Sequence, residues 1–253
     1  MLILLLSLLP LFQAAAQLPD ADQVMSKTRD LTITNSISST ISLAIIEKGG
    51  SVRERTISMI AKSYPDGAEK RLIRFIDPPD VRGTSMLIVD NENSSDEMWI
   101  YLPALKKTRR IVSSEKGKSF MSSEFSNADM SSPALSDFNN KHLKNSGENN
   151  LWIIESTPVS SEKSDEYGYS RKVSYISAGN WQVKKIEYYN FDNQLFKIME
   201  IKGILSAENG KYIIKDMKAS NIVTGRSSEI SFNKISTGLN IADTEFSIQN
   251  LER

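Results

Sequence analysis

From Thr40 to Ser236 apolar residues recur at every second position in one short segment after another, and turn residues separate the segments. Successive side chains of an extended chain point to opposite faces, so this alternation marks half-buried strands. Ile41, Leu43 and Ile45 alternate over 40–48, and Ile57, Met59 and Ala61 over 52–64. Gly49 with Gly50, and Pro65 with Asp66 and Gly67, supply the turns. Further strands are expected at 69–76, 84–90, 98–102 and 108–113, then at 151–156, 170–177, 182–190, 195–203, 211–223 and 227–236. The tail at 245–253 reads as a last short strand. Strands joined in this way as successive hairpins predict a mainly β fold with a few helices, its antiparallel sheet strongly curved or partly closed. Nothing helical sits between most strands, which argues against βαβ units.

Two stretches break the pattern. Residues 1–16 carry no charged side chain, run apolar from Leu2 to Phe12 and end in Ala14, Ala15 and Ala16. This reads as a cleaved secretory signal, too short to span a bilayer, with one domain expected over 17–253 and an exported location. Just beyond it, Asp20 can cap a helix that places Ala21, Val24, Met25, Thr28 and Leu31 on one face. The second stretch, 114–144, is rich in Ser and Asn with isolated apolar residues such as Phe120, Met121, Phe125 and Met130. Long structureless stretches are uncommon inside a compact domain unless they are functional, so short helices and loops laid over something are expected here.

Composition removes several chemistries. Lys+Arg 31 and Asp+Glu 31 leave a formal net charge of 0, without the basic excess of a nucleic-acid binder. With Cys 0 and His 1 there is no disulfide framework, thiolate site, cysteine nucleophile or multi-histidine metal centre. Gly117, Lys118 and Ser119 end like a phosphate-binding loop, but Val112 stands where that motif requires glycine. His142 is the only imidazole base, no G-x-S-x-G elbow accompanies it, and it reads as a solvated loop residue. Asp90 and Glu92 with Asp96 and Glu97 read as an acidic loop between two strands, and Asn93 opens a glycosylation sequon. Lys106, Lys107, Arg109 and Arg110 either meet an anionic partner or guard a strand edge with charge.

A lone curved sheet must bury its concave side. The helix at 21–31 and the segment 114–144 are the only covers on offer. Either side chains fill the interior or a cavity remains beneath the covers, and hydrophobic pattern does not separate the two. The face opposite the apolar one is read as mixed, with Arg53, Arg55, Arg71, Arg74, Lys172, Lys184 and Glu200.

Four stretches point further: F-I-D-P-P-D-V-R-G-T-S-M-L at 75–87, W-I-Y-L-P-A-L-K-K-T-R-R-I at 99–111, S-F-M-S-S-E-F-S-N-A-D-M at 119–130 and K-I-E-Y-Y-N-F-D-N-Q-L-F-K at 185–197. In this order the chain resembles the outer membrane lipoprotein-sorting protein family, a branch of the LolA/LolB-like superfamily. It departs from that pattern at Ser122 and Asn193, which stand for glycine, at Asn127 for tyrosine and at Ala128 for glutamate.

The resemblance implies an unclosed antiparallel β-barrel, a half-barrel lidded by helices, around a hydrophobic cavity. It implies a periplasmic, non-enzymatic carrier without a cofactor, acting as a monomer. Such a carrier holds acyl chains of lipoproteins or other lipids and passes them from an inner-membrane transporter to an outer-membrane acceptor. The alternative is a non-enzymatic periplasmic interaction module working with an inner-membrane exporter. Alternation and resemblance together nominate Ile41, Leu43, Ile57, Met59, Ile73, Phe75, Met98, Ile100, Val173, Tyr175, Ile186, Tyr188 and Met199 for the cavity. They nominate Val24, Met25, Phe120, Met121 and Phe125 for the lid.

Overall fold

The computed structural model describes residues 18–32, 35–92, 94–144, 146–207 and 210–252. The signal-like run at 1–16 and the sequon asparagine Asn93 lie outside them. Helix α1 (Ala21–Thr32) begins where expected, because the Asp20 carboxylate accepts from the Asp22 amide at 3.0 Å. Its apolar side buries Ala21 and Val24, with Met25, against Trp152, Ile154 and Ile176. Among the described residues no helix is long and apolar enough to cross a membrane.

Alternating segments become strands β1 (Ser36–Ile46), β2 (Val52–Ser63), β3 (Glu69–Asp77), β4 (Ser85–Asp90), β5 (Glu97–Leu102) and β6 (Lys107–Arg110). After the polar stretch come β7 (Phe138–His142), β8 (Leu151–Pro158), β9 (Arg171–Ser177), β10 (Val183–Tyr189), β11 (Leu195–Ser206), β12 (Tyr212–Asn221) and β13 (Ser227–Thr237). All belong to one 13-stranded sheet in the order β6-β5-β4-β3-β2-β1-β13-β12-β11-β10-β9-β8-β7. The first and last strands meet in its middle, Ile41 opposite Phe232 and Leu43 opposite Ile230. The edges β6 and β7 do not pair with each other, so the fold is the mainly β, unclosed antiparallel barrel expected from the sequence.

Those two edges are consecutive in the chain, so residues 111–137 must pass from one edge of the sheet to the other. This strap contains α2 (Ser113–Lys116), a bridge between Ser119 and Ser126, and 3₁₀ turns at Ala128–Met130 and Leu135–Asp137. It buries Phe120 and Phe125 in the main core with Leu43, Ile57, Phe75, Met86, Met98 and Met199. Helix α3 (Ser161–Tyr167) packs on α2 so closely that a Cβ on Gly117 would come within 2.7 Å of the Gly168 Cα. The glycine of the phosphate-loop lookalike is therefore needed for helix contact.

Three elements differ from the sequence expectation. Strand β7 has a single buried apolar residue, Phe138, in F-N-N-K-H and shows no alternation. Helix α3 is a polar S-E-K-S-D-E-Y segment capped by Ser160, again without an apolar period. The tail is helical: a 3₁₀ turn at Asp243–Phe246 and α4 (Ile248–Leu251) replace the expected strand. Ile241, Phe246 and Leu251 cover Leu72 and Leu87 on the convex face, which the sheet alone would leave wet.

Candidate functional site

Cross-strand register fixes the two faces of the sheet. Ile41 lies opposite Ile57, Met59 opposite Ile73, and Ile73 opposite Met86, all on the concave side. Between this face and the strap lies a cavity of about 260 Å³. Ile37, Ile41, Ile57, Met59, Ala61 and Ile73 line it from β1–β3, and Ile213, Ile214, Met217, Ile230 and Phe232 from β12 and β13. Phe120 and Met130 of the strap close it, with Arg29 and Thr32 of α1.

Of the nominated cavity residues, Ile41, Ile57, Met59 and Ile73 line this space. Leu43, Phe75, Met98, Tyr188 and Met199 sit on the same side but are packed into the core, with Ile100 and Ile186 half-buried against it. Val173 and Tyr175 lie on the other face: their strand neighbour Ser174 is opposite Ile186, while Val173 is opposite Glu187 and Glu155. Their inward neighbours are Lys172, Ser174 and Ile176, a mostly polar set that made the outer face look like the buried one. On the outside the Tyr175 hydroxyl meets Glu187 at 3.2 Å and Lys185 caps its ring.

Among the nominated lid residues, Phe120 roofs the cavity and meets Phe75 ring to ring at a tilt of 39°, centroids 5.7 Å apart. Phe125 is buried in the core and Met121 is packed against it. Val24 and Met25 cover Trp152 and Ile154 instead, and the same helix presents Arg29 and Thr32 to the cavity.

Several charges expected on the opposite face are concave. Arg53 lies opposite Ile45, Arg55 opposite Leu43, Arg71 opposite Ala61 and Ile88, and Lys172 opposite Tyr188. Arg53 and Arg55 share parity with Ile57, and Arg71 with Ile73, so alternation contained the placement of these three. Two of them, with Arg226 and Lys197, fasten the strap. Arg55 donates to the Met121 carbonyl at 2.6 Å, and Arg71 to the Met130 carbonyl. Arg226 donates to the Ser122 carbonyl and pairs with Glu124 at 2.9 Å. Lys197 pairs with Asp129 at 2.7 Å, and the Glu124 amide donates to Ser228. Unpaired carbonyls of a segment lying on an apolar face are costly, and these donors satisfy them.

One end of the cavity is ionic. Glu69, Arg71, Asp129, Ser131 and Ser132 line it there. Arg71 pairs with Glu69, and the Asp90 carboxylate accepts the Ser132 amide at 2.9 Å. Burial opposes the Arg71 charge, but Glu69 and Asp90 outweigh it and hold the guanidinium above its usual value. Burial pushes Asp90 up to about 7, against the pull of Arg71. Deeper along the sheet Lys172, set over the Phe138 ring, is pushed down to about 8 by burial. The acidic loop of the sequence reading is thus only partly a loop: Asp90 is a buried strand residue, and the largely buried Asp96 approaches the buried Lys116, which bonds Glu166 at 2.5 Å.

His142 is not a solvated residue. Its Nδ1 lies 2.6 Å from the Ser146 hydroxyl and its Nε2 2.7 Å from the Pro19 carbonyl. Ser146 Oγ also accepts the Ile153 amide, so its proton points to Nδ1 and Nε2–H donates to Pro19. Both ring nitrogens are engaged, Nε2 in holding the segment before α1 and Nδ1 in the turn after β7.

Solved structures share this architecture. A chain described as an outer membrane lipoprotein-sorting protein domain from Vibrio parahaemolyticus superposes with TM-score 0.84 at 23% identity, covering 92% of this chain and 98% of its own. A DUF1329 family protein from Desulfovibrio piger gives TM-score 0.82 at 25% identity over 91% and 97%. A LolA superfamily protein from Nitrosomonas europaea gives 0.72 at 13% identity over 92% and 100%. None of the curated proteins matches the chain. A family model described as uncharacterized-protein-like matches residues 67–253, and the chain belongs to that family, on a LolA-like fold.

Proposed function

We propose that the protein is a periplasmic carrier that holds an acyl chain of a lipoprotein, or of another lipid, between its curved sheet and the strap. In this reading a signal at 1–16 is removed on export and residues 17–253 act as one lipid-binding unit, a monomer. The apolar cavity roofed by Phe120 and Met130 carries the reading. Each buried methylene is worth about 0.8 kcal/mol, so a twelve-carbon chain gains roughly 10 kcal/mol on leaving water. Transfer between donor, carrier and acceptor then needs only differences in affinity. At about 260 Å³ the cavity falls just under the range of about 300–1,000 Å³ usual for small-molecule sites. It suits part of one chain, and a passenger with several chains requires the strap to lift. Withdrawal of Phe120 and Phe125 would add Leu43, Phe75, Met98 and Met199 to the lining.

Native mass spectrometry of protein purified from the cell envelope is expected to show a lipid adduct. Ala61→Phe fills the cavity from its wall. The variant is expected to keep its far-ultraviolet circular dichroism and to lose fluorescent fatty-acid binding by about tenfold or more, as deletion of over about 1.4 kcal/mol demands. Unchanged binding in this variant would refute the placement of the chain.

A second reading, the interaction module serving an inner-membrane exporter, has one feature in its favour. Leu105, Phe191, Ile222 and Val223 are exposed on hairpin turns at the same end of the sheet, Val223 by 76%. Exposed apolar residues gathered at one rim are typical of a docking surface.

A further inference from the structure

The cavity does not end at its ionic mouth. A second compartment of about 380 Å³ adjoins it, and Arg29, Glu69 and Ser132 form walls of both. Its carboxylates are Asp30, Asp66, Glu69, Asp90 and Glu92, against the single guanidinium of Arg29. Lys62 and Lys70 lie on the Tyr64 ring, and Lys62 is already paired with Asp243. Arg29 pairs with Glu92 at 3.2 Å while its buried Nε is left without a partner, and Arg71 pairs with Glu69. Asp90 is only 4% exposed, and its Oδ1 has no hydrogen-bond partner. Among the described residues these acids are too dispersed to ligate a metal ion. What remains is a compartment with an excess of acids, one buried unanswered acceptor on Asp90 and one buried unanswered donor on Arg29, adjoining an apolar one through Arg29, Glu69 and Ser132.

We propose that the two compartments together take a single-tailed amphiphile with a cationic amine head, its tail against Ile41, Ile57 and Met59 and its head beside Glu69, Asp90 and Glu92. The inference rests on the carrier reading above and adds the sign of the head group. An ammonium brings charge that Asp30, Asp66 and Asp90, the acids of the compartment outside its two ion pairs, favour, and donors for Asp90 once its buried Oδ1 turns toward the head, whereas a carboxylate or phosphate head would meet repulsion from those three. Head and tail are both needed: the amine alone lacks the buried area, and the tail alone leaves Asp90 unanswered.

The test is calorimetric titration of the intact protein with dodecylamine and with dodecanoate, each below its micelle concentration. Dodecylamine is expected to bind about tenfold tighter. Asp30→Asn with Asp66→Asn, both exposed positions that keep an acceptor, is expected to shrink that preference while leaving dodecanoate no weaker than before. Asp90→Asn is expected to shrink it further, and Ala61→Phe to weaken both ligands alike. Equal or tighter binding of dodecanoate, or a preference untouched by all three carboxylate changes, overturns the head-group assignment and leaves the carrier reading standing. Failure of both ligands to bind overturns the two together.

Discussion

Asp90 and Ser122 are each held in a costly state. Burial raises the Asp90 carboxyl from 3.8 to about 7, with Asp96 and Glu69 adding to the rise and Arg71 and the Ser132 amide opposing it. A carboxyl that holds its proton more tightly when folded stabilises the fold below its unfolded value and loses that contribution as pH rises through its folded one. The protein is therefore expected to lose stability between about pH 4 and pH 7, by a few kcal/mol at most. Asp90→Asn should flatten that slope in thermal melts across the range, and a slope that persists would assign it to other carboxylates. Ser122 has φ 65, in the left-handed region, at a position where the related sequence pattern has glycine. Non-glycine residues pay roughly 1 kcal/mol or more there. Ser122→Gly is expected to raise the urea midpoint, since the carbonyl that Arg226 holds is kept. Asn193, the other departure from glycine, has φ 58 but is a residue type that tolerates this conformation.

The strap behaves as an element held by charge on an apolar bed. Lys197 and Asp129 are each 8% exposed and 2.7 Å apart. Removing one partner of such a pair strands the other, at a cost of about 3–5 kcal/mol. Lys197→Met is expected to destabilise by that order in urea melts, and Lys197→Met with Asp129→Leu to recover most of the loss. The same element marks the limit of what sequence pattern conveys. Strands β1–β5 and β8–β13 were legible because their apolar residues alternate and turns bound them. In β2 and β3 the alternation also marked the inward apolar side, but Arg55 shares parity with Ile57 and Arg71 with Ile73, so assigning these charges to the opposite face set chemical type above the pattern. Strand β9 misled because its inward set is Lys172, Ser174 and Ile176, and polar side chains turned inward defeat a rule that equates burial with apolarity. Strand β7 and α3 gave no signal because neither buries an apolar stripe of its own. In the tail, Phe246 and Ile248 mimic a strand's period, although Phe246 and Leu251 are buried from a 3₁₀ turn and a helix.

On the scale of the whole molecule, the sheet is two wings joined at the β1–β13 seam: β1 to β6 fan one way and β13 back to β7 the other. Turns at one end carry Phe191 and Val223 into solvent. Phe191→Ser with Val223→Ser is expected to leave fatty-acid affinity unchanged but to reduce co-sedimentation with inner-membrane vesicles, and an unaltered sedimentation would remove the rim from the docking argument. The seam has one more implication. Since it joins the wings by backbone hydrogen bonds, and the strap alone ties edge to edge by covalent chain, a cut in the strap severs the polypeptide without severing the ladder. The gene could then be divided there into two separately translated fragments that reassemble by strand complementation, leaving an open trough whose contents exchange freely with its surroundings.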